Sequence, residues 1–392
     1  MKGNAIIGQS GGPTVVINQS LVGCIEGLKN TGVGKILGAH HAVSGIIKED
    51  FIDLGDIPQD RLDRIALTPS AAIGSSRDKP DEAYCKRIFT VFEKHDVHYF
   101  FYIGGNDSSD TCRIVNEVAK KSGYDLQSFH IPKTIDNDLM ENDHTPGYPS
   151  AARFVANAFT GDNLDNKSIP GIKINIVMGR HAGFLTAASV MARQKAGDGP
   201  HLIYVPERAF DIDKFVGDVD RVYKKEGRCL IAISEGIHDA NGTSIAARLA
   251  KNVEKDAHGN VQLSGTGALG DFLSAELKDK LGGKLRVRAD TFGYLQRCYP
   301  GSASPVDQKE AREVGRFAAK RAVDGISEGS IAIKRKRDDP YESEYALIKL
   351  TAVAAKTRVL SDDFIGGDND ITDKFRTYLA PLIGELPVVE QF

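Results

Sequence analysis

The five cysteines of this 392-residue chain (Cys24, Cys85, Cys112, Cys229 and Cys298) are scattered, with no CxxC pair and no metal-ligand spacing. That excludes a disulfide framework and a cysteine-built metal site, and predicts free thiols packed as small hydrophobes in a reducing compartment. No run approaches the ~18–20 apolar residues of a membrane span, and Met1 is not followed by the basic and apolar regions of a secretory leader. A cytoplasmic protein is therefore expected, without membrane partners. Net charge is also scarce: 50 Lys+Arg against 53 Asp+Glu leave −3. Such a balance offers no global attraction to nucleic acid, so an anionic ligand has to be met by a local basic cluster, a condition that suits small phosphates. There is no internal repeat, no low-complexity tract, and neither a P-loop nor a GxGxxG fingerprint.

Hydrophobic residues at 41% and charged residues at 26% are ordinary globular values, while the 40 glycines point to tight turns and close backbone approaches. The length exceeds the ~250 residues at which single cores stop growing, so two domains are expected. Short apolar runs alternate with helical periods: residues 5–8 before a helix through Leu28, 99–103 before a helix from Ser108, and 172–177 before a helix from Ala182. Residues 202–205, 230–233 and 331–333 read as further strands. Phe215, Val219, Val222 and Tyr223 make one helix face. The fold class is α/β, with two Rossmann-like lobes, mostly parallel sheets, and an active-site cleft between the lobes. Ligands in such sheets bind at the carboxyl ends of strands. Ser304-Pro305-Val306-Asp307 predicts an N-cap, a first-turn proline and a capping box for a helix running to about Val323. The basic run Lys334-Arg335-Lys336-Arg337 is followed at once by Asp338-Asp339-Pro340 and reads as a solvated turn between strands.

Three loops carry chemistry. Gly8-Gln9-Ser10-Gly11-Gly12-Pro13 ends the first strand and leads to a helix, so backbone amides and a helix dipole would converge on a phosphate. Gly104-Gly105-Asn106-Asp107-Ser108 ends a second strand; Asp107 or Ser108 would suit a helix N-cap, but capping leaves the glycine pair unexplained. In Pro132-Lys133-Thr134-Ile135-Asp136-Asn137-Asp138, two carboxylates beside a lysine and a hydroxyl supply a proton acceptor, a metal-binding oxygen and phosphate contacts. Alone that segment is also good turn chemistry.

These loops, with Gly74-Ser75-Ser76-Arg77, Met178-Gly179-Arg180, Ser234-Glu235-Gly236 and Gly293-Tyr294-Leu295-Gln296-Arg297 in this order, resemble the phosphofructokinases over roughly residues 4–300. PKTIDND resembles the signature of their pyrophosphate-dependent group. The resemblance implies reversible phosphorylation of the 1-hydroxyl of fructose 6-phosphate by pyrophosphate with Mg²⁺, a step of glycolysis and gluconeogenesis, in a homodimer or homotetramer. It implies that Gly11, Gly12, Arg77, Asn106, Asp107, Ser108 and Lys133 hold the donor. Asp136 would be the base, with Thr134, Lys133 and Arg180 also catalytic, and Asn106, Asp107 and Asp138 would serve the metal. Thr134, Asp136, Asp138, Met178, Gly179, Arg180, Glu235, Tyr294 and Arg297 would hold the sugar phosphate, joined by Arg288 reaching across a subunit interface. The donor lobe would comprise residues 1–146 plus about 299–345, and the sugar-phosphate lobe 147–298 plus about 346–392.

The chain departs from the family's pattern at three places. Asn106 stands where many relatives carry Asp, and an amide is the poorer magnesium ligand. Gly171 stands where arginine is common, with Lys173 nearby; Pro149 replaces a small residue; His181 follows Arg180 without an assigned role. Three alternatives stay open: an ATP-dependent phosphofructokinase, a pyrophosphate-dependent sedoheptulose 7-phosphate kinase, and a noncatalytic phosphate-sensing subunit. The last is opposed by the presence of both Asp136 and Arg180.

Overall fold

A computed structural model of the chain describes residues 3–249 and 267–391. Two compact units are formed, one from Met1–Ser150 with Arg297–Arg358, the other from Ala151–Gln296 with Val359–Phe392. The described strands are β1 Asn4–Gln9, β2 Ile36–Ala39, β3 Phe51–Asp53, β4 Val97–Gly104, β5 Gln127–Pro132, β6 Ile172–Val177, β7 Leu202–Tyr204, β8 Cys229–Ser234, β9 Val287–Thr291, β10 Glu328–Arg337 and β11 Glu342–Ile348. A small antiparallel pair, Ile365–Gly366 with Asp370–Ile371, completes them.

The first unit holds a seven-stranded sheet in the order β11-β10-β5-β4-β1-β2-β3, parallel except at its two edge pairs. The central strand β4 shows why. Its sequence VHYFFYIG is buried almost throughout, which suits a parallel strand covered on both faces. Tyr99, Phe101 and Ile103 enter one core with Val314 and Ala318, whereas Phe100 and Tyr102 enter the opposite core with Ile88 and Phe92. That is the two-residue period of a strand feeding two helical layers. The second unit holds β7-β8-β6-β9, all parallel. The helix Ile212–Glu226 presents the expected face of Phe215, Val219, Val222 and Tyr223 to its core.

Five local expectations need correction. The first helix begins at Ile17, five residues beyond Gly12, and the helix after β6 begins at Phe184 rather than Ala182. The basic run 334–337 forms the end of β10, not the turn, because cross-strand partners such as Glu342 for Lys336 and Asp143 for Arg335 neutralise it in place. The return to the second unit falls at Val359, later than expected, because β11 is recruited as an antiparallel edge of the first sheet. Finally, Ser304 caps its helix through the Asp307 amide (3.4 Å), but the Asp307 carboxylate does not close the box. It accepts from the Gly147 and Ser150 amides (2.9 and 3.1 Å), while the Ser304 amide donates to Ser150 Oγ (3.0 Å).

The described cysteines are all free thiols, four of them buried. Among the described residues no helix is long and apolar enough to cross a membrane.

Candidate active site

In the first unit, the parallel register sets the carboxyl ends of β1, β4 and β5 side by side, with Gln9 opposite Ile103 and Gly104 opposite Pro132. The three loops of interest are therefore neighbours, as the rule for parallel sheets requires. They are stitched together: the Ser10 amide donates to Ile103 O (2.8 Å), the Lys133 amide to Gly104 O (2.9 Å), and Ser108 Oγ to Ser10 Oγ (3.0 Å). The Gly11 amide donates to Ser76 O (2.8 Å) and Ser75 Oγ donates to Gly11 O (2.6 Å), which aligns the Arg77 segment beside the glycine pair. That bonding revises the expectation for this loop. Its first glycine amide is taken, and no helix N-terminus lies at the glycines. What requires glycine is conformation and room. Gly11 has φ +76°, and a Cβ there would sit 3.2 Å from Lys133 Nζ.

Lys133 is the electrostatic centre of this unit. It is 3% exposed and donates through Nζ to Gly12 O at 2.7 Å. Burial, then the positive charge of Arg297, depress its pKa to about 7, with Asp136 opposing, Arg77 assisting and Asp138 opposing. Arg77, Arg297, Asp136 and Asp138 thus all bear electrostatically on Lys133. Arg297, expected on the sugar side, packs over Gly12, where an added Cβ would lie 3.0 Å from its guanidinium carbon.

Along the segment after Lys133, Thr134, Asp136 and Asp138 keep partial access while Ile135, Asn137 and Leu139 are buried. That pattern keeps the three reactive side chains accessible and anchors the segment through Ile135, Asn137 and Leu139. Thr134 Oγ1 accepts from the Asp136 amide (3.1 Å), which fixes the backbone of that carboxylate. Asp138 is half-buried. Burial and the charge of Asp136 push its pKa up to about 7, against the pull of the Thr134 hydroxyl and Lys133. Asn106 Nδ2 makes a long 3.5 Å contact to Asp138 Oδ2, and Asn106 Oδ1 is buried without a hydrogen-bond partner. Two close carboxylates and an orphaned amide oxygen are a set that a hard cation would satisfy. Among the described residues no group of three or more His, Cys, Asp and Glu side chains is arranged to hold a metal.

The helix Asn106–Ser122 is preceded by Gly105, with no side-chain cap, so neither Asp107 nor Ser108 is there for capping. Asp107 pairs with Lys79 Nζ at 3.0 Å. Lys79, two residues beyond Arg77, was not singled out from the sequence. His130 was missed too: fully buried behind the glycine pair, it spans Ser330 Oγ and Gly104 O (both 2.8 Å), and burial holds its pKa down near 4. An isolated histidine in an apolar strand gives no local signal of such a role.

In the second unit, β6 and β8 run in register to Val177 and Ser234. Met178-Gly179-Arg180 therefore emerges beside Ser234-Glu235-Gly236. Ser234 Oγ donates to Gly179 O (2.6 Å) and accepts from the Gly236 amide (3.1 Å), and Gly179 holds φ +137° with no room for a side chain beside Ala182 O. Glu235 is buried, Arg180 half-buried, and Tyr294 exposed. Gln296, overlooked within its motif, accepts from the Met178 amide (3.2 Å) and donates to Gly293 O (2.9 Å), fastening the Tyr294 segment to Met178. Arg288 lies exposed on β9, an edge strand. Lys173 pairs with Asp290 and does not extend toward Arg180's loop as a free cation.

Comparisons with known proteins agree with this geometry. A model described as phosphofructokinase matches residues 4–322. The chain is 56% identical over 385 residues to a pyrophosphate–fructose 6-phosphate 1-phosphotransferase of Rhodospirillum rubrum, covering 98% of this chain and 95% of that one. It is 38% identical to a protein of the same name from Halomonas elongata, over 97% and 91% of the two chains. The crystal structure of a pyrophosphate-dependent phosphofructokinase from Nitrosospira multiformis superposes with a TM-score of 0.86 at 33% identity, covering 99% of this chain and 94% of that one. The loops, their placement at parallel strand ends and these matches together establish that the chain belongs to the phosphofructokinase family.

Proposed function

We propose that the protein transfers a phosphoryl group reversibly from pyrophosphate to the 1-hydroxyl of fructose 6-phosphate, giving phosphate and fructose 1,6-bisphosphate. The observation that carries this reading is the buried Lys133, which donates to Gly12 O at 2.7 Å beneath Arg297 and feels the charges of Arg77, Asp136 and Asp138. Phosphoryl transfer asks a protein mainly for positioning and charge compensation around one proton acceptor, which matches that composition.

In this reading Asp136 takes the proton of the 1-hydroxyl as the new O–P bond forms and the bridging P–O bond of pyrophosphate breaks. Arg77 and Lys133 receive the charge of the departing phosphate, and Arg297, packed over Gly12, joins them. Ser108 and the Gly11–Gly12 turn shape the donor side. Thr134 holds Asp136 and shares a hydrogen bond with Asp138. Asn106 Oδ1 and Asp138 would hold Mg²⁺, which when bound would offset charge on the transferred phosphoryl group. In the second unit Arg180, Glu235, Met178, Gly179 and Tyr294 take the sugar phosphate. Incubating the protein with pyrophosphate, fructose 6-phosphate and Mg²⁺ should release phosphate and fructose 1,6-bisphosphate in equal amounts. Phosphate release without the bisphosphate would mark a pyrophosphatase instead.

The exposed Arg288 supports a shared site in a dimer or larger homo-oligomer. A two-fold interface makes each chain give and receive one such arginine. Arg288→Ala and Asp136→Asn chains, each weakly active alone, should on co-assembly regain up to about a quarter of wild-type activity, since half the random dimers hold one intact site of two. Mixed chains no more active than the sum of the two variants, or an active species sedimenting as a monomer, would overturn the shared site.

A further inference from the structure

Behind the candidate active site of the first unit lies a buried ionic cluster to which the reaction assigns nothing. His144 is fully buried; its Nδ1 meets Asp143 Oδ2 at 2.8 Å and its Nε2 meets Glu310 Oε2 at 2.6 Å. A carboxylate can only accept, so both ring nitrogens are donors and the ring is an imidazolium. Glu310 Oε1 accepts from Tyr341 (2.7 Å) and Ser343 (2.6 Å), and Asp143 accepts from Arg335 Nε (3.1 Å). Asp307, also buried, feels the same positive charge. Burial works against the charged ring, but Glu310 and Asp143 outweigh it and raise the His144 pKa to about 9.

The cluster touches the reactive loop through the next residue. The Thr145 amide donates to Asn137 Oδ1 (3.1 Å), Thr145 Oγ1 donates to Thr134 O (2.9 Å), and the Thr134 amide returns to Pro146 O (3.2 Å). Asn137 holds φ +59°, a conformation that needs outside support. Thr134 and Asn137, which flank Asp136, are therefore both bonded to the segment 145–146 that follows His144. That segment is in turn tied to β10, where the Asp143 amide meets Ile333 O (2.9 Å) and the Ile333 amide meets Asn142 Oδ1 (3.1 Å).

We propose that His144, clamped between Asp143 and Glu310, is a positioning residue that acts through Thr145 to hold the Thr134–Asn137 backbone, and with it Asp136, in the reactive geometry. A buried ion pair adds little net stability against an apolar replacement, because desolvation offsets most of the attraction. Its directional bonds instead select one arrangement of the segment, which matters where small misplacements of a reacting group lower the rate steeply. The inference rests on the proposed reaction for its kinetic readout but not for its structural one.

The test compares wild type with Thr145→Val, Thr145→Ser and His144→Gln. Thr145→Val keeps shape and deletes only the bond to Thr134 O. It should lower kcat about 10-fold or more with KM for both substrates within about twofold, and Thr145→Ser, retaining the hydroxyl, should restore most of the loss. His144→Gln should act in the same direction, and backbone amides of residues 133–138 should exchange faster with solvent in both defective variants. The charge has its own signature. A folded pKa above the unfolded value near 6.5 means the imidazolium's contribution is full below about 6.5 and is lost as pH rises through about 9. The melting-temperature gap between wild type and His144→Gln should therefore narrow over that window. Unchanged kcat and unchanged exchange in Thr145→Val would overturn the proposal, and that variant decides the matter if His144→Gln does not fold. If the wild type shows no turnover of pyrophosphate, the proposed reaction fails, while the exchange comparison still tests the positioning role.

Discussion

Asp136→Asn is expected to lower kcat by about 10²-fold or more while leaving KM for fructose 6-phosphate within a few-fold of wild type. The sugar hydroxyl is a poor acid, and Asp136 is the carboxylate on the accessible side of the Thr134–Asp138 alternation whose backbone is fixed by Thr134. Asparagine preserves volume and leaves the amide bond to Thr134 Oγ1 in place, so the change removes a proton acceptor and a charge but little structure. Losing the charge has two further consequences. Asp136 helps raise the Asp138 pKa and helps hold Lys133 protonated. In the variant both pKa values should fall, so KM for pyrophosphate should rise while KM for the sugar does not. A kcat within a few-fold of wild type would remove Asp136 from the role of base.

Lys133→Met is expected to lower kcat/KM for pyrophosphate by about 10²-fold or more. A charge-assisted hydrogen bond contributes about 1.5–3 kcal/mol, and a donor aimed at transition-state charge about 2.7–4 kcal/mol. Lys133 is placed to supply both, with Arg77 and Arg297 close enough to depress its pKa. The shift also predicts a pH profile. Lys133 is charged below about 7 in the absence of donor, so wild-type kcat/KM for pyrophosphate should fall as pH rises through that value, with an ionisation that Lys133→Met lacks. Adding Asp107→Gly tests donor choice. The resemblance implies glycine at both positions in ATP-dependent members of the family, and a carboxylate at 107 would crowd the α-phosphate of a nucleotide. The ion pair with Lys79, at 3.0 Å, compensates part of the Asp107 charge, so exclusion rests more on its bulk than on like-charge repulsion. The double variant should raise the ratio of ATP to pyrophosphate turnover, even where both rates are low. An unchanged ratio would mean that neither position reads the donor.

Much of this architecture is legible in the chain because it is written locally. The apolar runs of β4, β6 and β8, the glycine pairs at strand ends, and the face of Phe215, Val219, Val222 and Tyr223 on the helix Ile212–Glu226 all act within a few residues. The loops of the candidate site are legible for the same reason. What escaped is long-range. Lys133 reaches Gly12 across 121 positions, His144 reaches Glu310 across 166, and Asp307 reaches Gly147 across 160. The Asp307 case shows how a local rule loses: the spacing Ser304-x-x-Asp307 is right for a capping box, yet Ser150 Oγ accepts from the Ser304 amide and itself donates a hydrogen bond to Asp307 at 2.5 Å. Burial of that aspartate, which raises its pKa to about 6, favours the partner that supplies several donors at once. Similarly, Arg297 reads as a sugar-phosphate contact from its motif, and only the folded chain places it over Gly12.

The most direct measurement is the initial rate of fructose 1,6-bisphosphate formation with pyrophosphate and with ATP, side by side, at saturating fructose 6-phosphate and matched, saturating Mg²⁺. Pyrophosphate is expected to support turnover at least about 10²-fold faster than ATP, as the loss of one charge-compensated donor contact implies, with fructose 6-phosphate consumed and phosphate released in equal amounts. Faster turnover with ATP than with pyrophosphate would contradict the donor assignment.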